Sequence, residues 1–176
     1  MIYPSVTQVI SPWVDFSMIP AGTLQAAADR GTAIHDHCAK IAMGVFVIVP
    51  PEHQGYVTSF QRWFDAMVQE VILAEERLTD ITFGYHGQID ILAKMKTGEI
   101  DLVDLKSPLA KSKSWAAQLS GYKRLVDFSE YPSPDRVGSL RLSPDGKTPR
   151  MDWYENGIQD FNAFLSCLNC YRYFHS

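Results

Sequence analysis

Long apolar runs are missing: nothing in the chain approaches the ~20 consecutive apolar residues a membrane-spanning helix needs, so a soluble protein is expected. Cysteine is sparse. Cys38, Cys167 and Cys170 are an odd set that cannot all pair, which argues against a disulfide framework and fits a reducing compartment. Internal repeats and low-complexity tracts are absent as well. The opening stretch MIYPSVTQVISPWVDF has no basic region followed by a continuous apolar segment, so neither a secretory signal nor an Arg-rich transit peptide is expected, and the setting is cytoplasmic. An overall excess of positive charge is also lacking. The net charge of -4 counts against a nucleic-acid partner on average, although an average hides local distribution.

What is present is an ordinary globular composition over 176 residues, enough for one domain (1–176) with a real core. Leu24, Ala27, Ala28, Gly31, Ile34, Cys38, Ile41 and Ala42 recur at three- and four-residue steps, the mark of an amphipathic helix, with Thr23 as its N-cap. Val49-Pro50-Pro51 reads as a break, and a second helix is expected over Val57–Val71, with Phe60, Phe64, Met67 and Val68 on one side. Three strand-like runs follow: Val71–Leu78, Gly84–Met95 and Ile100–Lys106. The last two are joined by Lys96-Thr97-Gly98-Glu99, which reads as a hairpin turn. Ser114 then caps a helix with the stripe Trp115, Leu119, Tyr122 and Val126. A strand pair, Val137–Leu142 and Met151–Tyr154, precedes a closing helix whose Ile158, Phe161, Phe164, Leu165, Leu168 and Tyr171 face inward. The order implies an α/β fold with a central mixed β-sheet flanked by α-helices.

The third strand run poses a chemical question. Asp104 and Lys106 are two apart, so in a strand they project from the same face, embedded among Leu102, Val103 and Leu105. On the strand before, Asp90 follows Gly87-Gln88-Ile89 and precedes Ile91-Leu92. A buried carboxylate costs several kcal/mol unless it is paired or bound to a cation. Glu75, in VILAEERL, lies on the neighbouring run, and strands ~4.8 Å apart allow Glu75, Asp90 and Asp104 to converge on one ion. Hard oxygen ligands of this kind select Mg²⁺ or Mn²⁺. Lys106 beside them could polarise a water or stabilise an oxyanion. Taken alone, Asp104-Leu105-Lys106 also fits the solvated edge of a strand, and Asp90 a turn carboxylate.

The ordered set Glu75, Gly87-Gln88-Ile89-Asp90, Asp104-Leu105-Lys106 and Gln118-x-x-Gly121-Tyr122 resembles the PD-(D/E)-x-K nuclease superfamily, and within it the RecB-like, phage-type exonuclease branch. Arg30-Gly31-Thr32-Ala33-Ile34-His35 fits that branch's G-x-x-x-H element, so the resemblance runs over about residues 20–126. It implies a restriction-endonuclease-like core and metal-dependent hydrolysis of DNA phosphodiesters. By residue, it implies that Asp90, Asp104 and the Leu105 carbonyl hold the principal ion and that Glu75 joins them directly or through water. It further implies that Lys106 orients the attacking water and that His35 ligates a second ion. Glu75 is preferred to Glu76 because the acid in this family lies three residues before an aliphatic one, here Leu78. His35 otherwise reads as a hydrogen-bonded histidine at the margin of the apolar stripe; His37 has no such support.

The same resemblance aims Gln118 at the scissile phosphate or the attacking water. It puts Tyr122, Lys111, Lys113 and Arg30 among the DNA contacts, although Tyr122 also belongs to an apolar stripe and the lysines also fit a solvated helix face. Lys123 and Arg124 add to the local positive charge. Some relatives hold an iron–sulfur cluster through four cysteines. Cys167-x-x-Cys170 invites comparison, but Cys38 lies inside a helix and the ligand count fails, so no iron–sulfur cluster is expected. The expected activity is a Mg²⁺- or Mn²⁺-dependent deoxyribonuclease, an exonuclease using one or two ions. It would be bacterial or phage-encoded and serve recombination, repair or phage DNA processing. The expected partners are DNA and either further copies of the chain in a homo-oligomer or a recombination or repair complex, with no membrane. The alternative is a catalytically silent DNA-binding or protein-interaction module on the same fold.

Overall fold

A computed structural model describes residues 3–15, 17–108 and 110–175. The amino end forms a one-turn helix, α1, Val6–Ile10, followed by a 3-10 turn over Ser11–Trp13. Its cause is local. Ser5 Oγ accepts from the Gln8 amide while Gln8 Oε1 accepts from the Ser5 amide, a reciprocal capping box, and Val6 and Val9 are fully buried.

The long helix α2 spans Ala21–Ala42. It starts two residues ahead of the expected cap, with Pro20 in the N-cap position and Thr23 inside the first turn. Of the expected stripe only Ile34 and Cys38 are buried, and Ala39 beside them is buried as well. Helix α3 spans Pro51–Met67, which corrects both ends of the expected helix. Pro51 occupies the first helical position, where the missing N–H has no intrahelical partner to lose, so the Pro-Pro pair begins the helix.

Strand β1 (Val68–Asp80) therefore starts at Val68, and β2 (Tyr85–Met95) and β3 (Ile100–Lys106) follow. The β2–β3 turn is as expected, with Gly98 at φ 105, a left-handed conformation suited to glycine. Helix α4 (Ser114–Asp127) begins at Ser114 itself, with Lys113 in the cap position; the Ser114 amide donates to Ser112 Oγ. Strands β4 (Arg136–Arg141) and β5 (Arg150–Trp153) precede α5 (Gly157–His175). On α5, Phe164 and Leu168 are buried as expected, whereas Ile158 is exposed because it sits in the first turn, ahead of the helix's contact with the core.

The five strands lie in the order β1-β2-β3-β4-β5, antiparallel except for β3 and β4, which are parallel and joined through α4. One apolar cluster unites Leu73, Leu92, Leu102, Leu119, Val126 and Phe164 on the α4/α5 side. A second unites Ile34, Val57, Phe60, Ile91, Val103 and Leu140 on the α2/α3 side. The protein is thus an α/β fold with a mixed sheet flanked by helices, consistent with the restriction-endonuclease-like core expected from the sequence. No helix among the described residues is long and apolar enough to cross a membrane.

Candidate metal-binding and catalytic site

The β2–β3 ladder stops at Ile91↔Val103, and the strands part beyond it. There Asp90 reaches across with its side chain, and its Oδ2 accepts the Leu105 amide at 2.7 Å. On the other side of β2, Ala74↔Ile91 and Glu76↔Ile89 are paired, and between them Glu75 is in the left-handed region at φ 51. A non-glycine residue rarely adopts that conformation, and such local strain tends to mark functional positions.

The parted strand ends open into a cavity of about 610 Å³ lined by His35, Glu75, Asp90, Asp104, Lys106, Gln118 and Tyr122, with Thr7, Gly31, Thr32, Asp36 and Gln88. Helix α2 brings His35 in beside the buried Ile34 and Cys38, one helical turn after Gly31, so Gly31 and His35 face the cavity together. Helix α4 supplies Gln118 and Tyr122 in the same way.

His35, Glu75 and Asp90 each offer a donor atom within 4.8 Å of the others. Glu75 accepts from the Gln88 side-chain amide with one oxygen, while its buried Oε1 has no hydrogen-bond partner among the described residues. That orphaned oxygen beside an imidazole and a second carboxylate fits a divalent cation. Glu76, the other acid weighed for this role, points away and accepts from Tyr131 Oη at 2.7 and 2.8 Å. Asp104 lines the same cavity but lies outside the triad: its Oδ2 is 2.7 Å from Lys106 Nζ. The Leu105 side chain is buried in the α2/α3 cluster.

His35, Glu75, Asp90 and Asp104 act on one another electrostatically. His35 Nδ1 lies 3.3 Å from Asp90 Oδ2. Burial works to lower the His35 pKa, but the Asp90 charge and hydrogen bond outweigh it and raise it to about 9. Burial would raise Asp90, yet His35, Lys106 and the Leu105 amide hold it below the ordinary carboxylate range. Asp104 is pushed up to about 6, by burial first and by the neighbouring Asp90 charge, against the pull of Lys106. Glu75 is raised by burial and by Asp90. Without a metal, the His35 imidazolium is therefore the counter-charge of Asp90. Burial and the Asp90 and Glu75 charges also push the Cys38 thiol up, so it stays protonated.

A hydrogen-bond relay fixes the lysine. Lys106 Nζ donates to Gln118 Oε1 at 3.0 Å, and Gln118 Nε2 donates to Tyr122 Oη at 3.1 Å. Tyr122 is buried, as expected of a stripe residue, and also forms part of the cavity wall.

The expected DNA contacts Arg30, Lys111 and Lys113 lie outside the cavity lining. Arg30 and Lys113 are exposed, and Lys111 is 3.8 Å from Asp152 and lies over the Tyr154 ring at 4.6 Å. Thr7, Gly31, Thr32, Asp36 and Gln88 line the cavity but are not among the site residues expected from the sequence. Gln88 shares a strand face with Asp90, a two-residue period visible in the sequence, and Thr7 rides on α1, whose Ser5-x-x-Gln8 capping box is a legible signal.

No protein-family model matches the chain, and no curated protein matches it. Solved structures include distant likenesses. The crystal structure of LHK-Exo in complex with dAMP aligns over 98% of this chain and 91% of that one, at 13% sequence identity and a TM-score of 0.44.

Proposed function

We propose that the protein is a metal-dependent deoxyribonuclease, an exonuclease acting on DNA phosphodiesters with Mg²⁺ or Mn²⁺. The observation that carries this is the meeting, in one cavity, of seven side chains from α2, β1, β2, β3 and α4, with the buried Glu75 Oε1 left unpaired. A purely structural polar cluster would satisfy its buried oxygens internally.

Glu75 and Asp90, with Asp104 and the Leu105 carbonyl, would hold one ion, and His35 would serve the same ion or a second. When bound, a divalent cation supplies Lewis acidity, lowering the pKa of water and neutralising charge on the phosphate. The chain's own groups do the rest. Asp104 and Gln118 hold Lys106 Nζ from two sides, leaving its remaining N–H for the attacking water or a phosphate oxygen, where it stabilises the negative charge that builds up. Tyr122 accepts the Gln118 N–H and so keeps the amide oxygen turned towards Lys106.

The test is cleavage of end-labelled single-stranded and duplex DNA with Mn²⁺. The parent is expected to degrade at least one of them, and Asp104→Ala to slow that by about 100-fold or more, the scale on which removing an electrostatic contributor acts. An Asp104→Ala protein as fast as the parent eliminates this assignment, and a parent that binds DNA yet never cuts it leaves the silent module.

A further inference from the structure

Next to the proposed site lies a group of charges that the mechanism does not use. Asp152, only 8% exposed, is faced by three cations: Arg141 Nε at 2.6 Å, Lys111 Nζ at 3.8 Å and Arg150 Nε at 3.8 Å. One cation is enough to neutralise a buried carboxylate, and Arg141 does so with an aligned hydrogen bond. The other two stand beyond hydrogen-bond distance, and the Arg150 side chain is 76% exposed. The cluster therefore carries two surplus positive charges.

Strand register sets where these charges sit. Lys106 of β3 pairs with Arg141 of β4, and Arg141 pairs with Arg150 of β5. Paired residues share a sheet face, so the three form a row across adjacent strands ~4.8 Å apart, beginning at the lysine in the catalytic cavity and running outward. The nearby Lys147 adds nothing, because Asp145 neutralises it at 2.5 Å.

We propose that Arg150 and Lys111, backed by Arg141, form a phosphate-binding track along the β4–β5 edge that holds the nucleic-acid backbone next to the cleavage site. The exposed Arg150 and Lys111, at the outer end of a row of cations that begins in the site, suit a polymer with regularly spaced anions. The proposal rests on the nuclease reading for the identity of the polymer, while its test does not require cleavage.

The experiment is fluorescence anisotropy of labelled single-stranded and duplex oligonucleotides, in EDTA, over a series of salt concentrations. Losing one phosphate contact makes the slope of log K against log salt shallower by about 0.7 for a single strand or 0.9 for a duplex. Arg150→Ala is expected to show that change on the strand type the track carries, together with weaker binding, and Arg150→Glu a larger loss. Lys147→Ala is expected to match the parent. Melting curves establish that the variants are folded. The proposal is overturned if Arg150→Ala and Arg150→Glu keep the parent's slope and affinity, or if the parent binds neither oligonucleotide. If the Arg150 effect appears but no cleavage occurs with Mn²⁺, the track stands and the nuclease assignment is what fails.

Discussion

At the scale of single residues, Gly87 shows how tightly the cavity wall is built. A Cβ added there would lie 2.6 Å from Tyr122 Cε1, within the ring and not at the end of a flexible chain. Gly87→Ala must therefore displace the tyrosine that orients Gln118. The expected outcome is a folded protein whose kcat falls roughly 10–100-fold, since a misplacement of about 1 Å can cost that much. Tyr122→Phe, which keeps the ring and removes only the hydroxyl, is expected to fall between the two; a Gly87→Ala enzyme with the parent's kcat would show that the relay does not matter.

His35 carries a pH signature. Its pKa in the folded protein is raised to about 9 from an ordinary 6.5, so its pairing with Asp90 stabilises the metal-free fold fully below pH 6.5 and that contribution is lost as pH rises through 9. In EDTA, the difference in melting temperature between the parent and His35→Asn should shrink steadily from pH 6.5 to about 9.5. A constant difference across that range would mean that the imidazole is not charged against Asp90.

At the scale of elements, the parallel β3–β4 pair is pinned by Asp101, which is fully buried, and Arg136, whose Nε and Nη2 each donate to it at 2.8 Å. Removing one partner of such a pair leaves a buried charge uncompensated, so Arg136→Ala is expected to cost about 3 kcal/mol in chemical denaturation, far more than an exposed ion pair is worth. A loss within a few tenths of a kcal/mol would mean that Asp101 finds another partner.

Elements whose signals are local and redundant were legible in the sequence. The β2–β3 hairpin is marked by Gly98, and α4 by its stripe. Those decided by one competing feature were not. Pro50-Pro51 reads as a break from composition but starts α3, and α1 is too short for any periodicity, being held by two side-chain caps and its packing. Within the site, the Asp104–Lys106 pair was legible from its spacing of two. The His35–Asp90 contact joins a helix to a strand far along the chain, and no local pattern reports that distance. The unusual φ of Glu75 was equally invisible, since nothing in VILAEERL requires it.

At the scale of the whole molecule, a cation held by His35, Glu75 and Asp90 would link binding to folding. A cation that binds only the folded state stabilises it by about 2.7 kcal/mol at 100 times its Kd, which for a chain of this length raises the melting temperature by roughly 5–10 °C. That rise is expected on adding Mn²⁺ or Mg²⁺ to the EDTA-treated parent near neutral pH, and it should be largely lost in Glu75→Gln. Binding should also release protons below about pH 9, because His35 must give up its own to become a ligand. A melting temperature indifferent to both ions would argue against a site at His35, Glu75 and Asp90.

The amino-terminal segment has a practical consequence. The Pro4 carbonyl accepts the His86 amide at 3.0 Å, Ser5 bridges to the same strand residue, and two positions later Thr7 forms part of the cavity wall. Proteolysis within that stretch would therefore strip Thr7 from the cavity wall and, with it, the buried Val6 and Val9 from the core beneath.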